Sequence, residues 1–419
     1  MNNYYIQKVS DIRSSLQQSQ VDPLRVLRKM MNGCPTQFQL QPVHPDIVDQ
    51  IITDLRNSKS CGLDNIDTFI IKLAKTELVP VITHIVNLSI TSAIFPSLYK
   101  RSKIAPLYKS KGDKLEPSSY RPVALLPIVS KILERVVYIQ TVEYMDAHGY
   151  LHPNHHGFRS SHSTTTALLQ IYDRWMEAVD KREIAGATFI DMSAAFDCVD
   201  TNLLLSKVEL YGFTRHTRQW IWSYMTERTQ VVSIDGATSS ALRVQVGVPQ
   251  GSILGPLFYV IYMNELPEVI HGEDCPSTRN RGDHPDWQPK ISTNCQTCGD
   301  LVSYADDSSY TNTHRDTRLL ADNLGTVYNT ISKFLTANML KVNDTKTHVM
   351  MLMTSQLRRL RGADLQVQIG SELQDLSRVE RLLGLEVHDS LKFQEYILSS
   401  DNSLIKSLNS RVKAIKMLF

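Results

Sequence analysis

From Pro45 onward, apolar residues recur at helical spacing. Ile47, Val48, Ile51, Ile52 and Leu55 fall three or four residues apart, which places them on one buried face. The turn Lys59–Asp64 separates this helix from two more, at about 66–76 and 79–93. The longest mostly apolar stretch, Val79–Phe95, is interrupted by Pro80, His84, Asn87 and Ser89, so it predicts a packed or amphipathic helix rather than a membrane span. Ile104–Leu107 predicts a strand and loop. A helix follows from Val129 to about Asp146, and another, capped by the run Ser161–Thr166, ends near Val179. Ala187–Ile190 reads as a buried strand ending at Asp191. The helix after it stops at Gly212, and a further helix covers Thr217–Thr226.

Beyond these, Gln230–Ile234 and Ala241–Val246 alternate across Asp235-Gly236 and predict a hairpin. A helix runs from Leu257 to Asn264. Leu301, Val302 and Tyr304 form a strand, a polar turn spans Asp306–Ser309, and Tyr310 and Thr311 return as a second strand. A long amphipathic helix covers Thr317–Ala337. The strand Val349–Met353, a strand pair at 365–369 and 379–387, and an amphipathic basic helix Ser403–Phe419 complete the chain. Residues 1–44 are weakly patterned and predict a weakly ordered segment.

Composition narrows the class. Among 419 residues, 42% are hydrophobic and 21% charged, an ordinary globular balance with length for roughly two or three domains. The net charge of +2 does not single out a nucleic-acid binder, nor exclude one with clustered cations. The first 20 residues are polar and give no secretion signal, and six cysteines form no disulfide framework, so an intracellular, reducing compartment fits; a nuclear location carries no clear signal.

The chemistry concentrates at Tyr304-Ala305-Asp306-Asp307. Adjacent carboxylates at a bend repel each other, and a cation relieves that cost; oxygen-only ligands beside substrate phosphates suit Mg²⁺. An isolated Asp pair is usually a solvated turn. Here a second strand end carries Asp191, and two strands delivering carboxylates to one point would hold two metals for phosphoryl transfer. Lys100, Arg101, Lys103, Lys109, Lys111 and Lys114 crowd one segment with only Asp113 among them. They can meet phosphates or form a solvated basic loop. Arg159, just before a helix start, can hold an anion or a surface ion pair. Gly247, Gly251 and Gly255 let a loop approach a ligand closely, or make a buried turn. His271, Cys275, Cys295 and Cys298, with His284 as a further candidate, have spacings that suit one structural Zn²⁺; the other reading is free thiols in a variable insertion.

In this order the segments resemble the reverse transcriptase domain of non-LTR (LINE-type, jockey-like) retrotransposons. The matching pieces are Gly62-Leu63-Asp64-Asn65-Ile66, Tyr120-Arg121-Pro122 with Ser130-Lys131-Ile132-Leu133-Glu134, and Gly157-Phe158-Arg159 with His162-Ser163-Thr164. They continue through Phe189-Ile190-Asp191, Ala195-Phe196-Asp197, Gly247-Val248-Pro249-Gln250-Gly251, the Asp306-Asp307 motif, Leu340…Asn343…Lys346-Thr347 and Leu383-Gly384-Leu385.

The resemblance implies an α+β right-hand polymerase fold: helical fingers at 45–185, a ferredoxin-like palm of antiparallel sheet plus helices at 186–375 with the Cys/His insertion at 268–300, and a palm end with a truncated thumb at 376–419. The polymerase domain as a whole would span about 90–390. It also implies an RNA-directed DNA polymerase, working on an RNA template, a DNA primer and dNTPs with two Mg²⁺ ions or Mn²⁺ in their place. Asp191, Asp306 and Asp307 match the metal-binding carboxylates, and Lys346 a proton donor to pyrophosphate. Phe196 matches the ring that excludes a ribose 2′-hydroxyl, although a plain core aromatic is its other reading. Gln250 and Gly251 match the loop against nucleotide and template, and Arg159, Lys109 and Arg121 the triphosphate cations. Nothing in the sequence resembles an endonuclease or RNase H, so those functions are expected to come from elsewhere. The alternative expectation is a truncated, catalytically inactive, transposon-derived nucleic-acid-binding protein.

Overall fold

The computed structural model describes residues 1–31, 36–271, 299–361 and 365–391. It is a mixed α+β structure built on two larger sheets and two hairpins. The helices are α1 (Asn2–Ser14), α2 (Arg25–Met30), α3 (Pro45–Asp54), α4 (Thr68–Leu73), α5 (Lys75–Ser92), α6 (Ile128–Ala147), α7 (Thr164–Asp180), α8 (Thr201–Leu210), α9 (Arg215–Met225), α10 (Leu254–Met263), α11 (Thr317–Ala337) and α12 (Ser355–Arg361).

The first sheet joins β1 (Arg101–Tyr108), β2 (Tyr120–Leu125), β4 (Arg228–Ile234), β5 (Ala237–Thr238) and β6 (Leu242–Val244). β1 lies between antiparallel β2 and parallel β4. The second sheet is antiparallel throughout, in the order β7 (Asp300–Tyr304), β8 (Asp307–His314), β3 (Ile184–Ile190), β9 (His348–Leu352). In chain order its four strands sit as second, third, first and fourth, the split β-α-β arrangement. Helix α11 crosses from β8 to β9 and packs on β3 and β8.

α10 is the hub. Its sequence LGPLFYVIYM is apolar on every side, and nine of its ten residues are buried, as a helix without a polar face must be. A buried carboxylate and a buried ion pair fix its ends. Glu134 of α6 accepts from the amides of Ile253 (2.8 Å) and Leu254 (3.2 Å), from Ser130 and from Tyr224, so a carboxylate caps the positive end of the helix. Burial raises the Glu134 pKa, while nearby Arg228 and these donors oppose the rise. Past the other end, Glu265 meets Lys207 at 2.5 Å, both wholly buried. Lys207 also donates to the Tyr262 carbonyl and lies over the Tyr262 and Phe334 rings.

Three expectations need correction. Residues 1–44 are not patternless in space: α1 and α2 form, and α1 is tied down at both ends. Asn2 donates to Ser239 Oγ (3.0 Å) and the Ser240 carbonyl (2.9 Å), and Arg13 pairs with Asp200 at 2.7 Å. Polar long-range bonds anchor this helix, so hydropathy gave no signal for it. The strands at 365–369 and 379–387 do not pair with each other. β10 (Gln366–Ile369) folds back on β11 (Glu372–Asp375), and β12 (Val379–Leu382) on β13 (Leu385–His388), because each run carries its own tight turn. The turn of the acidic hairpin is also one residue earlier and shorter than expected, as Tyr304 pairs with Asp307 and leaves only Ala305 and Asp306 in the bend. The proposed helix Ser403–Phe419 lies outside the described residues. Among the described residues, no helix is long and apolar enough to cross a membrane.

Candidate active site

Asp191 follows the last residue of β3. Asp307 opens β8, and Ile190 pairs with Ser308, so the next register position sets Asp191 opposite Asp307. Asp306 occupies the two-residue bend between β7 and β8, where Ala305 takes a left-handed φ of 57°. The alternation of the strands therefore brings three carboxylates to one sheet edge. Burial, and then the neighbouring Asp306 and Asp191 charges, push the Asp307 carboxyl up to about 6. Asp306 is likewise raised, first by burial and then by Asp191, with Arg121 opposing. Such mutual repulsion is what a bound cation relieves. Among the described residues no three Asp, Glu, His or Cys side chains sit together as a formed metal site.

Residues 341–346 run alongside this edge. Ser193 donates its amide to the Lys341 carbonyl (2.9 Å), and Asn343 to that of Asp191 (2.8 Å). The short turn Asp344–Lys346 then sets Lys346 Nζ 3.6 Å from Asp191 Oδ2, with both side chains open to solvent. Lys109 leaves β1 on the other side of the cleft. Its ammonium pKa is lowered first by burial and then by the positive charges of Lys8, Arg121, Lys346 and Lys111. Lys109 and Arg121 share the β1–β2 hairpin, and Lys346 is brought near them from a distant segment.

Phe196 stands in the turn Ala195–Cys198, entered through a left-handed Ala194. Its ring stacks on buried Tyr259 of α10 (4.3 Å between centroids) and meets Phe158 edge-on (6.0 Å). The hydroxyl of Tyr259 has its pKa raised well above normal by burial, then by Asp306 and Asp307, so this aromatic pair adjoins the acidic bend. The 247–251 loop is stitched to the same turn. Val248 donates its amide to the Phe196 carbonyl (2.9 Å), and Gln250 Nε2 donates to Asp197 Oδ1 (2.7 Å). The Gln250 carbonyl accepts from Ala124 of β2 (2.7 Å), joining the first sheet to the site. Gly251 has a φ of +118°, and a Cβ there would come within 2.4 Å of the Ala124 carbonyl oxygen, so this join requires glycine.

Arg159 Nη1 donates to the carbonyls of His152 (2.6 Å) and His155 (3.1 Å), so this side of its guanidinium braces its own loop. That loop adds to the second sheet, since Ser303 donates to the Asn154 carbonyl and His156 to that of Ser303. Ser163 caps α7 reciprocally with Thr166. His271 follows the turn Leu266–Glu268, whereas Cys275, His284, Cys295 and Cys298 lie outside the described residues. Two neighbours of the site escaped the sequence reading. Asp197 lay inside a quoted motif without a role, and Lys8 lay in a segment with no visible pattern.

Three carboxylates brought together beside cations are the kind of arrangement that phosphoryl-transfer sites use. The particular family comes from comparison with known proteins. Residues 108–393 match the family described as "Reverse transcriptase (RNA-dependent DNA polymerase)", and the chain belongs to it. Among curated Drosophila melanogaster proteins, it is 31% identical over 235 residues to "Probable RNA-directed DNA polymerase from transposon X-element", covering 55% of this chain and 25% of that protein. It is 29% identical over 322 residues to the counterpart from transposon BS, covering 75% and 33%. It is 31% identical over 228 residues to "RNA-directed DNA polymerase from mobile element jockey", covering 54% and 25%. The chain therefore spans a quarter to a third of the length of these relatives, and it resembles the jockey-like, non-LTR branch of the family.

Proposed function

We propose that this chain is an RNA-directed DNA polymerase of a non-LTR retrotransposon, extending a DNA primer on an RNA template with dNTPs. One observation carries the reading: the end of β3 and the β7–β8 bend set Asp191, Asp306 and Asp307 at one edge, next to Lys346 and the Gln250 loop. In this reading the second sheet and its helices form the palm, and the first sheet with the helices before β3 forms the fingers.

Asp191, Asp306 and Asp307 are a donor set of hard oxygens with depressed acidity, which fits divalent cations such as Mg²⁺. When bound, such ions polarise the attacking hydroxyl and stabilise the leaving oxygen. The chain's own residues do the rest. Lys109, Arg121 and Lys346 neutralise the triphosphate and hold its α-phosphorus for attack by the primer 3′-hydroxyl, which expels pyrophosphate. Lys346, 3.6 Å from Asp191, gives a proton to that leaving group. Phe196, backed by Tyr259, presents a fixed ring to the sugar and leaves no room for a 2′-hydroxyl. Asp197 orients the Gln250 amide against the incoming nucleotide.

The test is primer extension by the purified chain on an RNA template with an annealed DNA primer, dNTPs and Mg²⁺, beside an Asp306→Ala control. Extension by the parent and none by the control supports the reading. A folded parent that binds the duplex but extends nothing sinks it and leaves a binding-only protein.

A further inference from the structure

Helix α1 spans the cleft between the two sheets. It packs on the Ala195–Cys198 turn and on β4 and β6 of the first sheet. Its start is fixed to the first sheet through Asn2, with Gln230 Nε2 donating back to Asn2 Oδ1 (3.0 Å). Its end is fixed to the other side through Arg13–Asp200, and just beyond it Lys341 Nζ donates to Ser15 Oγ (2.9 Å). A strap held at both ends keeps its middle in one place.

That middle faces the carboxylate edge. A cavity of about 440 Å³ has Tyr4, Gln7 and Lys8 of α1 on one wall and Asp191, Asn343 and Lys346 on the other. Lys8 is exposed, and among the described residues it has no ion-pair partner. Its charge is felt at Lys109 across the cleft and at Asp197 in the turn below. Lys8 and Lys346 therefore share this cavity, and the β1–β2 hairpin that carries Lys109 and Arg121 lies near enough for Lys109 to feel both charges. Lys346 already lies 3.6 Å from Asp191, whereas Lys8 has no carboxylate within ion-pair distance among the described residues, so an entering polyanion is favoured beside Lys8.

We propose that Lys8 is a substrate-binding residue, a fourth cation for the phosphates of the incoming nucleotide, and that α1 is a wall of that site. The assignment rests on the polymerase reading above. Because Lys8 is exposed, its removal leaves the fold alone, and its contact with phosphate is charge-assisted.

The test measures both Mg·dTTP binding to the full chain by titration calorimetry without primer, and the dNTP dependence of primer extension. Lys8→Ala, Lys8→Glu and Lys8→Arg are compared with the parent. Lys8→Ala is expected to weaken dTTP binding and raise KM by about tenfold, with kcat little changed and thermal unfolding unaltered. Lys8→Glu should weaken binding further, and Lys8→Arg should stay close to the parent. A parent that extends primers, with a Lys8→Ala variant of equal or tighter dTTP affinity, overturns the Lys8 assignment alone; tighter affinity would mean that α1 obstructs the site. A parent that binds dTTP through Lys8 but extends no primer overturns the polymerase reading alone. A parent that neither extends nor binds dTTP overturns both.

Discussion

Gly157→Ala is a one-methyl test of how the acidic bend is held. Gly157 does not sit at a left-handed φ, so alanine suits its backbone; what the position lacks is space. A Cβ there would lie 2.4 Å from the Ala305 amide nitrogen and 3.1 Å from the Ala305 Cα. Ordinary contact needs about 3.4 Å or more, so one of the two strands must yield by about 1 Å. Neither yields freely. His156 donates to Ser303 (2.8 Å) and Ser303 to Asn154 (2.9 Å), which pins the 154–156 segment to β7 beside the bend. The His156 ring is held in turn by Thr166 and Gln170.

Overpacking of this kind costs about 1–3 kcal/mol of stability. A displacement near 1 Å at the carboxylates would also lower turnover by on the order of a hundredfold. The assay pairs urea unfolding with primer-extension kinetics, reading kcat and the dNTP KM separately. The expected pattern is a moderate stability loss, a folded protein at assay temperature and a kcat far below the parent. A variant with parental kcat and parental stability would refute the claim that Gly157 sets the position of Asp306.

Three further outcomes follow from the same geometry. Asp307 binds its proton more tightly folded than unfolded, so its penalty is absent near pH 4, grows as pH rises towards about 6, and is complete above that. Its full shift would equal about 3 kcal/mol, but the Asp307 side chain is only partly covered and its open side lets solvent screening reduce this to about 1 kcal/mol; Asp307→Asn should stabilise the metal-free protein by that amount at pH 7 and not at pH 4. Urea titrations with a chelator check this, and equal stability of the two proteins at pH 7 would refute it. Lys207→Met strands the buried Glu265 carboxylate and should cost about 3–5 kcal/mol, most of it recovered in the Lys207→Met/Glu265→Leu double variant by the same measurement. Phe196→Val removes the ring stacked on Tyr259 and should raise ribonucleotide over deoxyribonucleotide incorporation on the order of tenfold; an unchanged ratio in competitive extension would make Phe196 only a core aromatic.

The acidic strand ends were legible because each is a local event. An apolar run that stops at Asp191, and a hairpin with Asp306 and Asp307 at its tip, are set by residues within a few positions of one another. The same holds for the α7 cap and for α11, whose bounds Thr317–Ala337 equal the expected ones. Resemblance to known motifs then placed these local events in one site. Where local pattern misled, two readings competed: the 365–388 region contained four short strands, and alternation alone could not say which two would pair.

The sequence by itself determined which residue types stand at the strand ends and turns of this protein, because period and turn chemistry act over a few residues. Only the tertiary structure decided that Arg159 turns inward to His152 and His155, that Asp197 holds Gln250, and that Lys8 shares a cavity with Lys346, near enough to Lys109 for its charge to be felt. Asp197 and Gln250, and Lys8 and Lys346, are far apart in the chain. Their meeting depends on how α10 and the two sheets pack, and on polar bonds such as Asn2–Ser240 and Arg13–Asp200 that leave no periodic trace in the sequence.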